Sequence, residues 1–276
     1  MKNNLFFKLI IIIFIVGCDF SSGLHKDILK AQDFISERNF QKAAVTYEGI
    51  LKRKASKNIR IKIHYQLAEI YSVYLNNYEA ALKNLNNIII ESNEPLWQVK
   101  ALEKIGDISF ENLKDYDSSL KTYRKLSRFI PKLEKQDYYI FRYSQSLFHL
   151  GRYVESDKLM KDLTISSSGE PKIRSFYYLG LSHFYRKDWD ASISYWFEYL
   201  KRETRKDHII NVKFLIANAY ESSENLKEAY NIYYSIIGEY PNPEVIKNRL
   251  NSLYQRRVAR KRWVKRKKIL KKCSKS

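Results

Sequence analysis

Apolar residues recur along most of the chain at intervals of three and four, which is the spacing of one face of an α-helix. Six segments share one arrangement: a large apolar residue, a small residue three positions later, and large apolar residues four and then three positions further on. The four columns are Phe40, Tyr78, Tyr116, Tyr153, Trp189 and Leu226; Ala43, Ala81, Ser119, Ser156, Ser192 and Ala229; Tyr47, Leu85, Tyr123, Met160, Trp196 and Tyr233; and Ile50, Ile88, Leu126, Leu163, Tyr199 and Ile236. We therefore predict six helices, each with one buried stripe.

A second helical run precedes each of these segments and has a small residue of its own. These residues are Ala31, Ala68, Gly106, Ser144, Gly180 and Ala217. The repeating unit is therefore a helix–turn–helix pair with a period of 36 to 38 residues. One pair cannot bury its apolar face alone, so the pairs are predicted to stack. The predicted fold is an all-α solenoid of about six pairs over residues 25–241.

These pairs resemble tetratricopeptide repeats (TPR), whose pattern places Leu-Gly and an aromatic residue in helix A and aromatic residues, Ala and a closing Pro around helix B. The matching residues are Leu179-Gly180 with Trp189, Ile105-Gly106 with Tyr116, Ala217 with Tyr220 and Ala229, and the closing Pro131 and Pro241. The family period is about 34 residues, so the longer period here implies longer loops between repeats. The resemblance implies a TPR-like α-solenoid that binds other proteins.

The resemblance also implies that helix A of each repeat lines a concave, partner-binding surface. In the fourth and fifth repeats the corresponding residues are Tyr138, Phe141, Phe148, Tyr177, Leu181, Phe184 and Tyr185. Aromatic side chains are favoured at protein interfaces, but aromatic residues at helical spacing are also ordinary core residues. The sequence leaves both interpretations open. It lacks the Lys/Asn/Arg set with which some relatives hold a C-terminal carboxylate.

The N-terminus has the order of a secretory signal peptide, residues 1–17. Lys2 and Lys8 flank the start of an apolar run, Leu9 to Val16, that is too short to span a bilayer. The run ends in Ile-Val-Gly-Cys, which resembles the bacterial lipoprotein box and implies that Cys18 is acylated as the first residue of the mature chain. Residues 18–24 would then be a tether, and the acyl chains would hold the protein on a membrane of the bacterial envelope. A buried N-terminal helix is the alternative, and which membrane carries the anchor stays open.

The formal charge of +20 is concentrated at the C-terminus, where fourteen Lys or Arg and no acidic residue follow Glu244. Residues 242–276 are predicted to form a capping helix that continues into a basic tail. The residues expected to contact a membrane or an acidic partner are Arg260, Lys261, Arg262, Trp263, Lys265, Arg266, Lys267 and Lys268. Anionic lipid, an acidic envelope polymer, an acidic protein and a merely solvated tail remain open. Nucleic acid is not expected to meet an exported protein.

No catalytic constellation is visible, and we predict a protein that is not an enzyme and binds no metal or cofactor. The five histidines, His25, His64, His149, His183 and His208, have no metal-ligand spacing. Cys18 and Cys273 lie at opposite ends and form no disulfide framework, so Cys273 is expected to be a free thiol.

The function predicted from these features is an envelope scaffold for protein–protein interactions, in outer-membrane protein assembly or envelope maintenance. Its repeats would bind one or more envelope proteins. An accessory factor for cell-wall synthesis or division, binding a wall enzyme or glycan, is one alternative. A surface-exposed binder of host molecules is another.

Overall fold

The computed structural model describes residues 23–273, and every regular element within that range is a helix, as predicted. The chain divides between Leu133 and Glu134 into two compact units. The first unit contains α1 (residues 23–36), α2 (Phe40–Leu51), α3 (Lys57–Glu69), α4 (Tyr78–Glu91), α5 (Pro95–Asp107) and α6 (Tyr116–Ser127). The second contains α7 (Gln136–His149), α8 (Tyr153–Ser166), α9 (Gly169–Tyr185), α10 (Trp189–Leu200), α11 (Lys206–Ser222), α12 (Leu226–Ile236) and α13 (Pro243–Cys273). Each unit therefore holds three of the six predicted helix pairs.

One turn design joins the two helices of every pair. Helix B begins in all six pairs at the first-column residue, and the residue two positions before it has a left-handed backbone. The left-handed residues are Arg38, Asn76, Lys114, Gly151, Lys187 and Glu224, with φ between 51° and 73°. In four turns the side chain of the residue directly before helix B (Asn39, Asn77, Asp115 or Asp188) accepts a hydrogen bond from a backbone N–H of the first turn. This capping fixes where helix B starts.

The second, third and fourth columns of the repeat, from the small residue onwards, form the interior of the two units. All eighteen of these side chains are at most 3% exposed, and the six small residues of helix A are buried as well. Five of the six first-column residues are only half-buried, because they lie at the exposed start of helix B. The predicted stripe is therefore confirmed, and its buried part begins at the small residue.

The extra length of the repeats is not all in loops. Helices α3 and α5 continue into π-helical turns, Ile70–Tyr74 and Ile108–Asn112. A π turn accommodates an additional residue within a helix. Accordingly, the hydrogen bond that closes the following turn spans six residues, from the Asn77 N–H to the Tyr71 carbonyl. In a repeat without a π turn the equivalent bond spans five residues, from the Asp188 N–H to the His183 carbonyl. In these two repeats one of the added residues therefore lies in helix A, and the expectation that loops hold all of the extra length is corrected for that residue.

Helix α13 covers the apolar face of α12 with its first half. Ile246, Leu250 and Leu253 are at most 8% exposed and pack in one cluster with Ala217 and Tyr233. None of the helices described between residues 23 and 273 is both long and apolar enough to cross a membrane.

Candidate protein-binding surface

Helices α7 and α9 pack against each other as the first helices of successive pairs in the second unit. The seven aromatic and apolar residues predicted to line a partner-binding surface lie on these two helices, and the structure separates them by exposure. Tyr138 and Tyr185 are 37% and 58% exposed, Tyr177, Leu181 and Phe184 are half-buried, and Phe141 and Phe148 are 2% and 7% exposed. The exposed and half-buried residues are those that a partner can reach.

Phe141 and Phe148 are core residues. The rings of Phe141 and Tyr178 of α9 pack in a T-shaped contact with a centroid distance of 5.9 Å. Phe148 meets Tyr178 at 5.1 Å and Tyr153 of α8 at 5.4 Å. The expectation that these two rings contact a partner is corrected, since they join three helices of the unit in edge-to-face contacts typical of packed aromatic residues.

Tyr185 is the most exposed aromatic side chain of these seven residues, and one side of its ring packs against neighbouring aromatic residues. Its ring stacks on Tyr153 with a centroid distance of 6.0 Å and an interplanar angle of 20°, and Phe148 lies 5.9 Å away. A tyrosine held in this way presents apolar area and a hydroxyl group at low entropic cost. Such residues are frequent anchors of protein interfaces.

A cleft of about 270 Å³ lies between α9 and α11 beside Tyr177. It is lined by Arg174, Tyr177, Tyr178, Tyr199, His208, Asn211 and Val212. None of these side chains is acidic, and the guanidinium of Arg174 lies 5.4 Å from the ring centre of Phe141. Arg174 and Asn211 are not among the residues predicted from the sequence, because those were aromatic and apolar residues of helix A. They occupy the same helix A position one repeat apart, and that shared position could have indicated them.

The Tyr199 wall of this cleft is held by an ionic network. The Tyr199 hydroxyl donates to Glu203 Oε2 at 2.6 Å, and Arg205 Nη2 lies 2.6 Å from the same oxygen. Hydrogen bonds from Arg205 hold the pKa of the Glu203 carboxyl well below its usual range. Burial, and then the bond to Glu203, raise the pKa of Tyr199 above its usual range. The cleft therefore presents a neutral phenol on this wall, and the carboxylate that holds the phenol lies behind it, buried and paired with Arg205.

His183 ties α9 to its neighbours without forming a metal site. Its Nδ1 lies 2.8 Å from Asp188 Oδ2, and its Nε2 lies 3.6 Å from Asp157 Oδ2 of α8. The hydrogen bond with His183 lowers the pKa of Asp188. Throughout the described part of the chain, no group of three or more His, Cys, Asp or Glu residues is arranged to hold a metal ion.

The basic residues of α13 fall into two groups. Arg256 lies 3.0 Å from Glu221 and 2.6 Å from Glu224, and the predicted contact residue Arg260 lies 3.6 Å from Glu224. The other predicted residues that are described, Lys261, Arg262, Trp263, Arg266 and Lys267, are exposed, and Lys267 lies 4.7 Å from the Trp263 ring. The side chains of Lys265, Lys268 and Cys273, and the whole of residues 1–22 with Cys18, lie outside the described part.

Comparison with known proteins finds matches in structure only. No family model and no curated protein matches the sequence. PilW, a widely conserved type IV pilus biogenesis factor, superposes with a TM-score of 0.54 at 15% identity over 84% of this chain and 98% of PilW. A tetratricopeptide repeat protein from Parabacteroides merdae gives 0.55 at 12% identity over 84% of this chain and 99% of its own. PilF from Pseudomonas aeruginosa gives 0.52 at 10% identity over 86% and 98%.

These similarities establish the class of fold. The chain has an all-α, TPR-like repeat fold, as its helix pairs predicted.

Proposed function

We propose that this protein is a lipid-anchored scaffold of the cell envelope that binds another protein through α7, α9 and α11. The observation that carries the proposal is the supported, exposed ring of Tyr185, with the acid-free cleft of Arg174 and Asn211 on the same set of helices. Exposed aromatic residues on a rigid scaffold, beside polar groups that can orient a ligand, are the usual composition of a binding surface.

The proposed partner is another envelope protein. PilW is described as a pilus biogenesis factor, and its similarity in fold is compatible with a role in building envelope structures. Assembly of outer-membrane proteins or maintenance of the envelope is the role we propose. Acylated Cys18 would attach the protein to the membrane, and the exposed basic residues of α13 would add a second contact with the membrane or an acidic partner.

A crosslinking pull-down from native membranes tests the binding surface. Tyr185→Ser is compared with Tyr234→Ser, which removes a tyrosine of similar exposure (63%) from α12. We expect one envelope protein to be recovered with the unaltered protein and with Tyr234→Ser, and at least about tenfold less with Tyr185→Ser, which corresponds to 1.4 kcal/mol. Equal recovery with both variants would contradict the proposed surface.

The identity of the recovered partner decides between the proposed role and its alternatives. An outer-membrane barrel protein supports assembly or maintenance, whereas a wall enzyme, or sedimentation of the protein with wall sacculi, supports a role in wall synthesis or division. Proteolysis of the protein on intact cells would instead favour a binder of host molecules.

Metabolic labelling with a palmitate analogue tests the anchor separately. Cys18→Ser is expected to abolish labelling and to release the protein from the membrane fraction, because the acyl chains supply the attachment. Cys273→Ser is the matched control and should leave labelling unchanged. Labelling that persists in Cys18→Ser would disprove the assigned site.

A further inference from the structure

The packing face of α13 continues beyond the end of the core it covers. Ile246, Leu250 and Leu253 follow one another at intervals of four and three and are buried. The same alternation leads next to Arg257, Arg260 and Val264, so these three residues lie on the same side of the helix.

A cleft of about 580 Å³ opens between this stretch of α13 and the first turn of α12. Its apolar lining comes from Leu226, which is 5% exposed, and Val264, which is 42% exposed. Arg257, Arg260 and Lys261 line the α13 side, and Glu224, Lys227 and Glu228 are among the residues of the opposite side.

The charges in this cleft leave it positive after its internal pairs are formed. Glu224 is already paired with Arg256 at 2.6 Å, and its backbone carbonyl accepts a hydrogen bond from Arg260 at 3.2 Å. Arg257 lies 5.4 Å from the centre of the Tyr230 ring, and Lys261 is exposed. A concave surface with an apolar lining and cationic edges is complementary to an acidic segment that carries an apolar side chain.

The opposite side of α13 is the better face for a lipid bilayer. At 100° per residue, Arg262 and Arg266 point about 140° and 180° away from Arg257. Both are exposed. A flat anionic membrane could contact these outward residues, whereas it could not enter the concave cleft.

We infer that this cleft docks an acidic, amphipathic segment of a partner protein. An apolar side chain of the segment inserts between Leu226 and Val264, while its carboxylates pair with Arg257 and Lys261. The inference rests on the proposed function, since it names the chemistry of one partner of the scaffold. It adds a docking site separate from the surface around Tyr185.

The test is fluorescence anisotropy with the full-length protein and two labelled peptides. Both peptides contain the same Glu, Ala and Leu residues, with Leu gathered on one helical face in the first and dispersed in the second. The double variant Arg257→Gln/Lys261→Gln is compared with Arg262→Gln/Arg266→Gln, which removes the same net charge from the opposite face. We expect the amphipathic peptide to bind about tenfold more weakly to the first variant. We expect a change of less than about twofold for the second variant, and weak binding of the dispersed peptide to every form.

Other outcomes overturn the inference. Equal weakening by the two variants would show attraction by net charge alone, and equal binding of the two peptides would show that the apolar lining is not used. Sedimentation of the unacylated protein with phosphatidylglycerol vesicles that is lost only with Arg257→Gln/Lys261→Gln would make the cleft a lipid site instead. Circular dichroism confirms that both variants keep their helix content. Because Tyr185 is unaltered, recovery of the partner in the pull-down still reports on the proposed function if peptide binding fails.

Discussion

The backbone of Gly180 in α9 lies directly against the indole ring of Trp196 in α10. A Cβ atom at Gly180 would lie 2.7 Å from Trp196 Cε2 and closer still to Nε1, which donates a hydrogen bond to the Tyr177 carbonyl at 3.1 Å. In the first unit, a Cβ atom at Gly106 would lie 2.8 Å from Tyr123 Cζ. In these two repeats the third-column ring therefore occupies the space that a Cβ atom of helix A would need.

We expect Gly180→Ala to destabilise the second unit by about 2 kcal/mol. The added methyl group overlaps the indole, whose hydrogen bond to Tyr177 prevents it from moving freely. Gly106→Ala should destabilise the first unit for the same reason. The free energy of unfolding in urea measures both effects.

Gly49→Ala is the matched control, because it lies in the helical interior of α2 and a Cβ there meets nothing within 4 Å. It should stabilise the protein by about 0.5–1 kcal/mol through helix propensity. A destabilised Gly49→Ala, or a neutral Gly180→Ala, would contradict the argument from close packing.

We expect substitutions at two equivalent left-handed turn positions, Gly151 and Lys187, to change stability in opposite directions. Gly151, at φ 73°, is the glycine among the six, whereas Lys187 has φ 62°. Gly151→Ala should cost about 1 kcal/mol, because a Cβ atom is strained in this conformation. Lys187→Gly should stabilise the turn by roughly 0.5 kcal/mol, since the relief of strain exceeds the entropic cost of glycine. Thermal unfolding of the two variants checks both signs, and two shifts of the same sign would refute the strain argument.

We expect the folded protein to lose stability in acid because of Glu203. Its pKa is lower in the folded protein than in the unfolded chain because Arg205 donates hydrogen bonds to its carboxylate. The ionised carboxylate therefore stabilises the fold fully above the unfolded-state pKa of about 4.3. That stabilisation is lost as the pH falls through the lower, folded-state pKa.

Glu203→Gln isolates this contribution. The variant should be less stable than the unaltered protein by about 2 kcal/mol at pH 7, because the donors of Arg205 lose a charged acceptor. The difference should shrink as the pH is lowered below about 4 in urea unfolding experiments. A difference that is independent of pH would show that the effect is one of packing.

A substitution at Leu253 measures how much α13 contributes to the stability of the second unit. It is fully buried, whereas its neighbour Tyr254 is 56% exposed. Leu253→Ala should cost about 3 kcal/mol, because it leaves a cavity in the cluster that covers α12. Tyr254→Ala, the control, should change the free energy of unfolding by less than about 0.5 kcal/mol. Similar effects of the two changes would argue against a covering role for α13.

The helix pairs could be predicted from the sequence because their signal is local. Residues such as Ala43, Tyr47 and Ile50 share one face of a helix through spacing alone, and the three buried columns repeat that spacing six times. The starts of helix B are also encoded locally, since a side chain that caps the helix directly precedes a large apolar residue in four of the six turns. The sequence does not show that the added residues of the second and third repeats lie in π turns after α3 and α5, because an insertion in a loop would lengthen the period equally.

The sequence by itself determined the fold class and the residues that build the helix pairs, through spacing along single helices. Only the tertiary structure decided that Phe148 is buried while Tyr185 is exposed, although both are aromatic residues of helix A. It also decided that Arg260 is paired with Glu224 and lines a cleft, while Arg262 is exposed on the opposite side of α13. The physical reason is that burial and charge pairing depend on side chains from other helices, and periodicity along one helix carries no information about them.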